Sequence, residues 1–157
     1  MRKTIVAQDA RSKMSERNWL DLEELAQVEV TSEESAHPIE AALRGDEHHE
    51  GWRASERGMQ TIRLRFDTPQ GVHLIRLVFD ETERARTQEF VLGWRRSGET
   101  TSREIVRQQY TFSPPTTTRE IDEYAVDLHE VSIVELQIRP DLSDGEARAR
   151  LAAWRLA

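Results

Sequence analysis

The sequence predicts an all-β domain, a sandwich or a barrel of about eight antiparallel strands. Three observations predict it. Apolar residues recur with a period of two, as in Ile62, Leu64 and Phe66 between Thr61, Arg63 and Arg65, the mark of a strand with one buried and one wet face. Clusters of turn formers separate such segments, among them Thr68-Pro69-Gln70-Gly71, Arg96-Ser97-Gly98-Glu99 and Ser113-Pro114-Pro115. Hardly any stretch has a helical period, and no repeat or linker divides the 157 residues, a length that suits one domain with a substantial core.

Residues 1–18 have mixed charge and no clear period, and read as an N-terminal arm to a domain covering 19–157. Trp19 to Ala26 fits a helix, because Leu22, Leu25 and Ala26 share one face, and fits an extended lead-in equally. Val28 and Val30 flank Glu29 in a first strand. Pro38 suits a helix start, where its missing N–H is not needed. Ile39, Ala42 and Leu43 then face inward, and Gly45 stops the turn. Asp46 to Gly51 is a polar surface loop.

After the alternating strand at 61–66, Thr68 to Gly71 turns the chain, and Val72 to Phe79, apolar on both faces, reads as a separate central strand. Glu81 to Thr87 is a charged connection. Phe90, Leu92 and Trp94 form one arm of a hairpin around Ser97-Gly98, and Val106, Gln108, Tyr110 and Phe112 form the other. Ser113 to Thr118 cannot hold a central strand. Tyr124, Val126 and Leu128 alternate, as do Val134, Leu136 and Ile138 ahead of Pro140; Asp141 to Gly145 is a loop, and Ala149 to Leu156 is a final strand. The expected core is Ile62, Leu64, Phe66, Leu77, Phe79, Leu136 and Ile138.

Composition narrows the function. Hydrophobic residues are 37% and charged residues 32%, a balance of a folded, polar-surfaced protein. There is no apolar run of membrane-spanning length and no secretion-signal core, so a cytoplasmic location and no membrane partner are expected. The absence of cysteine removes disulfides and thiol chemistry. A net charge of −7 argues against a nucleic-acid partner, which would require phosphate neutralisation. Of the 22 basic side chains only Lys3 and Lys13 are lysine.

Taken in order, Thr31, Ser32, Pro38, Ala42, Leu43, Gly45, Asp46, Trp52, Ala54, Ser55, Ile62, Leu64 and Phe66 resemble the opening of a discoidin-like domain. This is the coagulation factor 5/8 C-domain, galactose-binding-like group. Members open with a strand ending in small hydroxyl residues, a Pro-x-x-A-x-D-G-D turn, a structural Trp and a strand ending near Pro. The resemblance covers about residues 25–157. It implies a jelly-roll β-sandwich, an extended lead-in at Leu25-Ala26, and binding without chemistry at the loop end. The residues so placed are His37, Glu47, His48, Trp52 and Arg53, with a carbohydrate or another polar molecule as ligand. An alternative of a different class is a protein-interaction or assembly module, because intracellular relatives of the fold dock onto protein partners.

Many members bind calcium at the A-x-D-G-D turn. Here that turn reads Ala42-Leu43-Arg44-Gly45-Asp46, and the last strand ends Trp154-Arg155-Leu156-Ala157 where the family often supplies a Glu. Calcium wants six to eight oxygens, so no metal is expected, and the Arg44 guanidinium is expected beside the vacated position, against Asp46 or a loop carbonyl. His48 and His49 among Asp46, Glu47 and Glu50 suggest a metal site, but adjacent histidines in an extended loop point apart, and a solvated loop accounts for them. Trp52 matches the structural Trp; Trp94 and Tyr110 share faces with core residues; Arg63 and Arg65 belong to a wet strand face. His37, His73 and His129 are scattered, and no G-x-S-x-G, Gly-rich phosphate loop or H-E-x-x-H occurs. Neither an enzyme nor a cofactor is expected.

Overall fold

A computed structural model of the chain describes residues 19–44 and 50–157. The proposed arm at 1–18 lies outside them. Among the described residues are eight strands: β1 (Ala26–Val30), β2 (Trp52–Arg53), β3 (Gln60–Asp80), β4 (Arg86–Arg96), β5 (Arg103–Phe112), β6 (Arg119–Arg139), β7 (Arg150–Leu151) and β8 (Ala153–Leu156). Two single helical turns, α1 (Leu22–Leu25) and α2 (Glu40–Leu43), flank β1 and precede β2. No described helix is long and apolar enough to cross a membrane.

The two long strands organise everything else. The first half of β3 lies between β1 and the second half of β6, which in turn pairs with β4, and β4 with β5. The second half of β3 lies between β8 and the first half of β6. All of these pairings are antiparallel. One chain thus supplies the middle of two layers, β1-β3-β6-β4-β5 and β8-β3-β6. The layers meet through their apolar faces. Phe79, in the second half of β3, stacks on Phe90 of β4 with centroids 5.1 Å apart. Ile62, Leu64, Leu77, Leu136 and Ile138 around them are fully buried, and Phe66 nearly so. The all-β sandwich and its seven-residue core are as the alternation predicts.

Four details differ from that reading. The final strand expected over Ala149 to Leu156 divides at Ala152 into β7, which pairs with β2, and β8, which pairs with β3. Thr68 to Gly71 does not separate two strands. The β3–β6 register shifts between Arg65 and Gln70 and again up to Leu74, so the bend is an irregularity within one strand. Pro69 sits within it, one of the few sheet positions where a missing N–H is tolerated. β6 makes the matching passage with Glu130 at φ 56°, so 124–128 and 134–138 are one strand. The lead-in is helical where an extended segment was expected. Asp21 accepts from the Glu24 N–H, capping α1, and Leu22 is buried.

Because β3 and β6 double back, their beginnings and ends gather at one end of the molecule. Gln60 pairs with Ile138 there and Asp80 with Arg119. The connections β1–α2, β3–β4, β5–β6 and β6–β7 all reach this end, and the short β2–β7 ladder crosses it.

Candidate functional site at the loop end

The loop end is built on Trp52. Its side chain is fully buried, and its indole N–H donates to the Ser32 carbonyl at 3.1 Å. Ser32 Oγ in turn donates to Gln60 Oε1 at 2.7 Å and accepts from the Glu56 N–H. A buried indole with its single donor satisfied is a scaffold. Trp52 supports the site from beneath and presents no ring to a ligand.

The next residue faces outward by strand alternation. Arg53 is held by its backbone: its N–H donates to the His37 carbonyl and its carbonyl accepts from the Glu34 N–H, which sews the Glu34–His37 turn onto β2. Across the ladder, Arg53 faces Arg150 of β7. Arg53 Nη2 lies 3.4 Å from Glu50 Oε2, and Arg53 Nε is buried with no acceptor. Arg150 Nη2 donates to Glu83 at 2.9 Å. Its Nη1 lies 3.9 Å from Glu81.

Two clefts open on either side of this arginine pair. One, of about 310 Å³, is lined by Glu50, Arg53, Asp80, Thr82, Thr118, Arg119, Arg150 and Ala152. The other, of about 240 Å³, is lined by Glu34, Arg53, Ala54, Glu81, Glu83, Arg84, Glu146, Arg148, Ala149 and Arg150. The first is at the lower end of small-ligand pockets, about 300–1,000 Å³, and the second is below it. Neither has an aromatic side chain among its described lining residues.

Of the residues expected at the site, Arg53 lines both clefts. His37, 19% exposed, lies behind them with Nε2 3.5 Å from Glu50 Oε2 and 4.0 Å from Glu34. Glu47 and His48 lie outside the described residues. Sequence reading missed Arg150, Arg119, Glu81 and Glu83. Only the β2–β7 pairing brings Arg150 to Arg53, and nothing in a single sequence announces a ladder two residues long.

The carboxylates here act as counter-ions. Glu81 is pushed up by burial, but the hydrogen bonds from Arg86 and from the Glu83 N–H, with the charge of Arg150, outweigh this and hold it below the usual carboxylate range. Such a group is a permanent anion. No described set of three or more His, Cys, Asp or Glu residues converges as a metal site. At the turn where the family places calcium, Arg44 is exposed and donates to Glu23 Oε1 at 2.9 Å, so its described partner is a carboxylate of α1.

No family model matches this chain, and no curated protein does. Solved structures do match. A pectin-binding carbohydrate-binding module superposes with a TM-score of 0.60 at 16% identity, over 84% of this chain and 89% of its own. The family 32 carbohydrate-binding module of Clostridium perfringens NanJ, solved with galactose, gives 0.59 at 14% identity, over 88% and 96%. Reduced XRCC1, solved bound to the catalytic domain of DNA polymerase β, gives 0.58 at 16% identity, over 85% and 95%. At these identities the likeness is one of fold. The chain has the discoidin-like, galactose-binding-like β-sandwich fold of the carbohydrate-binding modules.

Proposed function

We propose that this chain is a non-catalytic binding module that takes a saccharide in the clefts at the loop end. The observation that carries the reading is the pair of polar clefts divided by Arg53 and Arg150, on a fold that neighbours solved with galactose or described as pectin-binding share. Guanidinium groups, threonine hydroxyls and carboxylates supply the donors and acceptors that a polyol requires. The titratable groups of the clefts are engaged in ion pairs, which supports binding over catalysis.

The assembly alternative draws on the XRCC1 neighbour, solved with a protein bound. An apolar docking face would favour it. Among the described residues the exposed large hydrophobics are Met59, Ile121 and Leu142, on three different segments. The outer face of the five-stranded layer is instead covered by ion pairs, Arg63 with Glu29 and Glu135 and Arg65 with Glu29. Saccharide binding is therefore the better-supported reading.

The test is an NMR titration of the labelled chain with a panel of neutral and acidic oligosaccharides. Shifts at Arg53, Thr82, Thr118 and Arg150 are the expected result. A panel that leaves those amides unmoved overturns the proposal.

A further inference from the structure

Like charges directly opposite in an antiparallel ladder destabilise it, and most facing charges in the described strands are of opposite sign. Glu29 faces Arg63, Arg63 faces Glu135, and Asp80 faces Arg119. In a facing pair of the three-stranded layer, Arg76 and Arg155, one charge is compensated and the other is stacked: Arg76 donates to Glu123 at 2.7 Å, and Arg155 lies over the Trp19 ring. Arg53 and Arg150 face each other in a ladder only two residues long, at the partition between two clefts. Their nearest counter-ions are held loosely. Glu50 is 66% exposed and 3.4 Å away, and Glu83 is 69% exposed. The inner carboxylate, Glu81, is already bound to Arg86 at 2.7 Å.

We infer that the Arg53–Arg150 pair is a clamp for a carboxylate, and that the saccharide taken here is a sugar acid. This rests on the saccharide reading above and narrows it. Guanidinium groups bind planar carboxylates through paired, charge-assisted hydrogen bonds. An incoming carboxylate replaces Glu50 and Glu83, whose exposed side chains swing away into solvent. It also supplies an acceptor to the buried Arg53 Nε, which has none among the described residues. Arg119, across the larger cleft and 3.2 Å from Asp80, adds a third cation to the wall. The ionisable side chains among that cleft's described lining residues are Glu50, Asp80, Arg53, Arg119 and Arg150, so this part of the wall carries net positive charge in a chain of net charge −7. A neutral sugar would find hydrogen-bond partners but, among the described residues, no aromatic plane to stack on; a sugar acid finds the guanidinium groups that the described wall is built from.

The experiment is calorimetric titration of the full chain with trimers of galacturonic acid and of mannuronic acid, their methyl esters, and a neutral galactose trimer, at low and high salt. At least one acid trimer is expected to bind about tenfold or more tighter than its ester, the scale of one charge-assisted pair, and to weaken as salt rises. In Arg53→Gln and in Arg150→Gln the difference between acid and ester is expected to vanish, with folding checked by circular dichroism. Equal binding of acid and ester by the wild type overturns the clamp and leaves the saccharide reading standing. Binding of none of the trimers overturns both. Undiminished acid binding by the two folded variants overturns the assignment of the clamp to these residues.

Discussion

Arg86 Nε donates to Glu81 Oε1 over 2.7 Å, with the two side chains 0% and 2% exposed. The same guanidinium donates through Nη1 to the Pro140 carbonyl at 2.8 Å and to Gln88 Oε1 at 3.2 Å. It also lies over the Phe112 ring, 4.7 Å from its centroid. One ion pair therefore fastens the β3–β4 connection to the end of β6, directly under the clefts. Removing one partner of a buried pair strands the other charge, so Glu81→Ala is expected to lose about 3–5 kcal/mol of stability in urea unfolding. The double variant Glu81→Leu/Arg86→Met should recover most of that loss. A single variant as stable as the wild type would show that the pair is hydrated in solution.

Behind this pair, Gln88 Nε2 donates to Glu120 Oε1 at 3.0 Å, while Glu120 Oε2 and Asp122 Oδ2 are buried without a donor. Burial first, and then the neighbouring Asp122 carboxylate, push Glu120 up to about 8, against the opposing pull of Gln88 and Arg86. The Tyr124 hydroxyl beside them is pushed up as well, by burial and by both carboxylates, and stays neutral. A proton on Glu120 supplies the donor that this group lacks. The native state then binds more protons than the unfolded chain between the ordinary carboxylate value and about 8. Stability should fall as pH rises through that window, by at most about 1.4 kcal/mol per pH unit for one proton. Glu81, held low, acts only below the window. In Glu120→Gln the decline should flatten and stability above pH 8 should rise; a variant with the wild-type profile would assign the slope elsewhere.

Gly51, just before Trp52, has φ +70°, and an added Cβ would lie 2.3 Å from the Leu151 carbonyl oxygen and 2.7 Å from Ala152 Cα. Both contacts are backbone, which cannot swing aside. Left-handed strain and overpacking each cost about 1–3 kcal/mol, so Gly51→Ala should lose more than about 2 kcal/mol and loosen the β2–β7 ladder. Gly98, in the β4–β5 turn, shares the positive φ but has open space around it. Gly98→Ala should show only the backbone strain. Thermal unfolding of the two variants side by side checks the difference.

The core was legible in the sequence because alternation is a local property: Ile62 and Phe66 announce their faces through their immediate neighbours. The passage of β3 between layers was not, since Pro69 and Gly71 are the same residues whether the chain turns or bulges. At the site the contrast is sharper. Trp52 and Arg53 could be found from their place in the opening motif, but the wall they form depends on Arg150, 97 positions away, and on the Glu81–Arg86 pair that fixes the β3–β4 connection. Those are tertiary facts, and charged residues in an acidic, arginine-rich chain carry no signal of which partner they will meet.

Arg44 also bears on calcium. Its guanidinium donates to Glu23 Oε1 at 2.9 Å, placing a cation at the turn where the fold's calcium binders carry an acidic ligand, and β8, Ala153–Leu156, carries no Glu. A bound ion stabilises by mass action, about 2.7 kcal/mol at a concentration a hundred times its Kd, which for a domain of this size moves Tm by several degrees. Millimolar calcium is therefore expected to leave Tm where EDTA leaves it. In Arg44→Asp the positive charge is exchanged for a carboxylate, and a partial upward shift with calcium is expected there alone. The measurement is thermal unfolding of both proteins with calcium, with magnesium as the control for screening, and with EDTA. A clear rise in the wild type with calcium and not with magnesium would falsify the argument, because the ion would then be held despite Arg44.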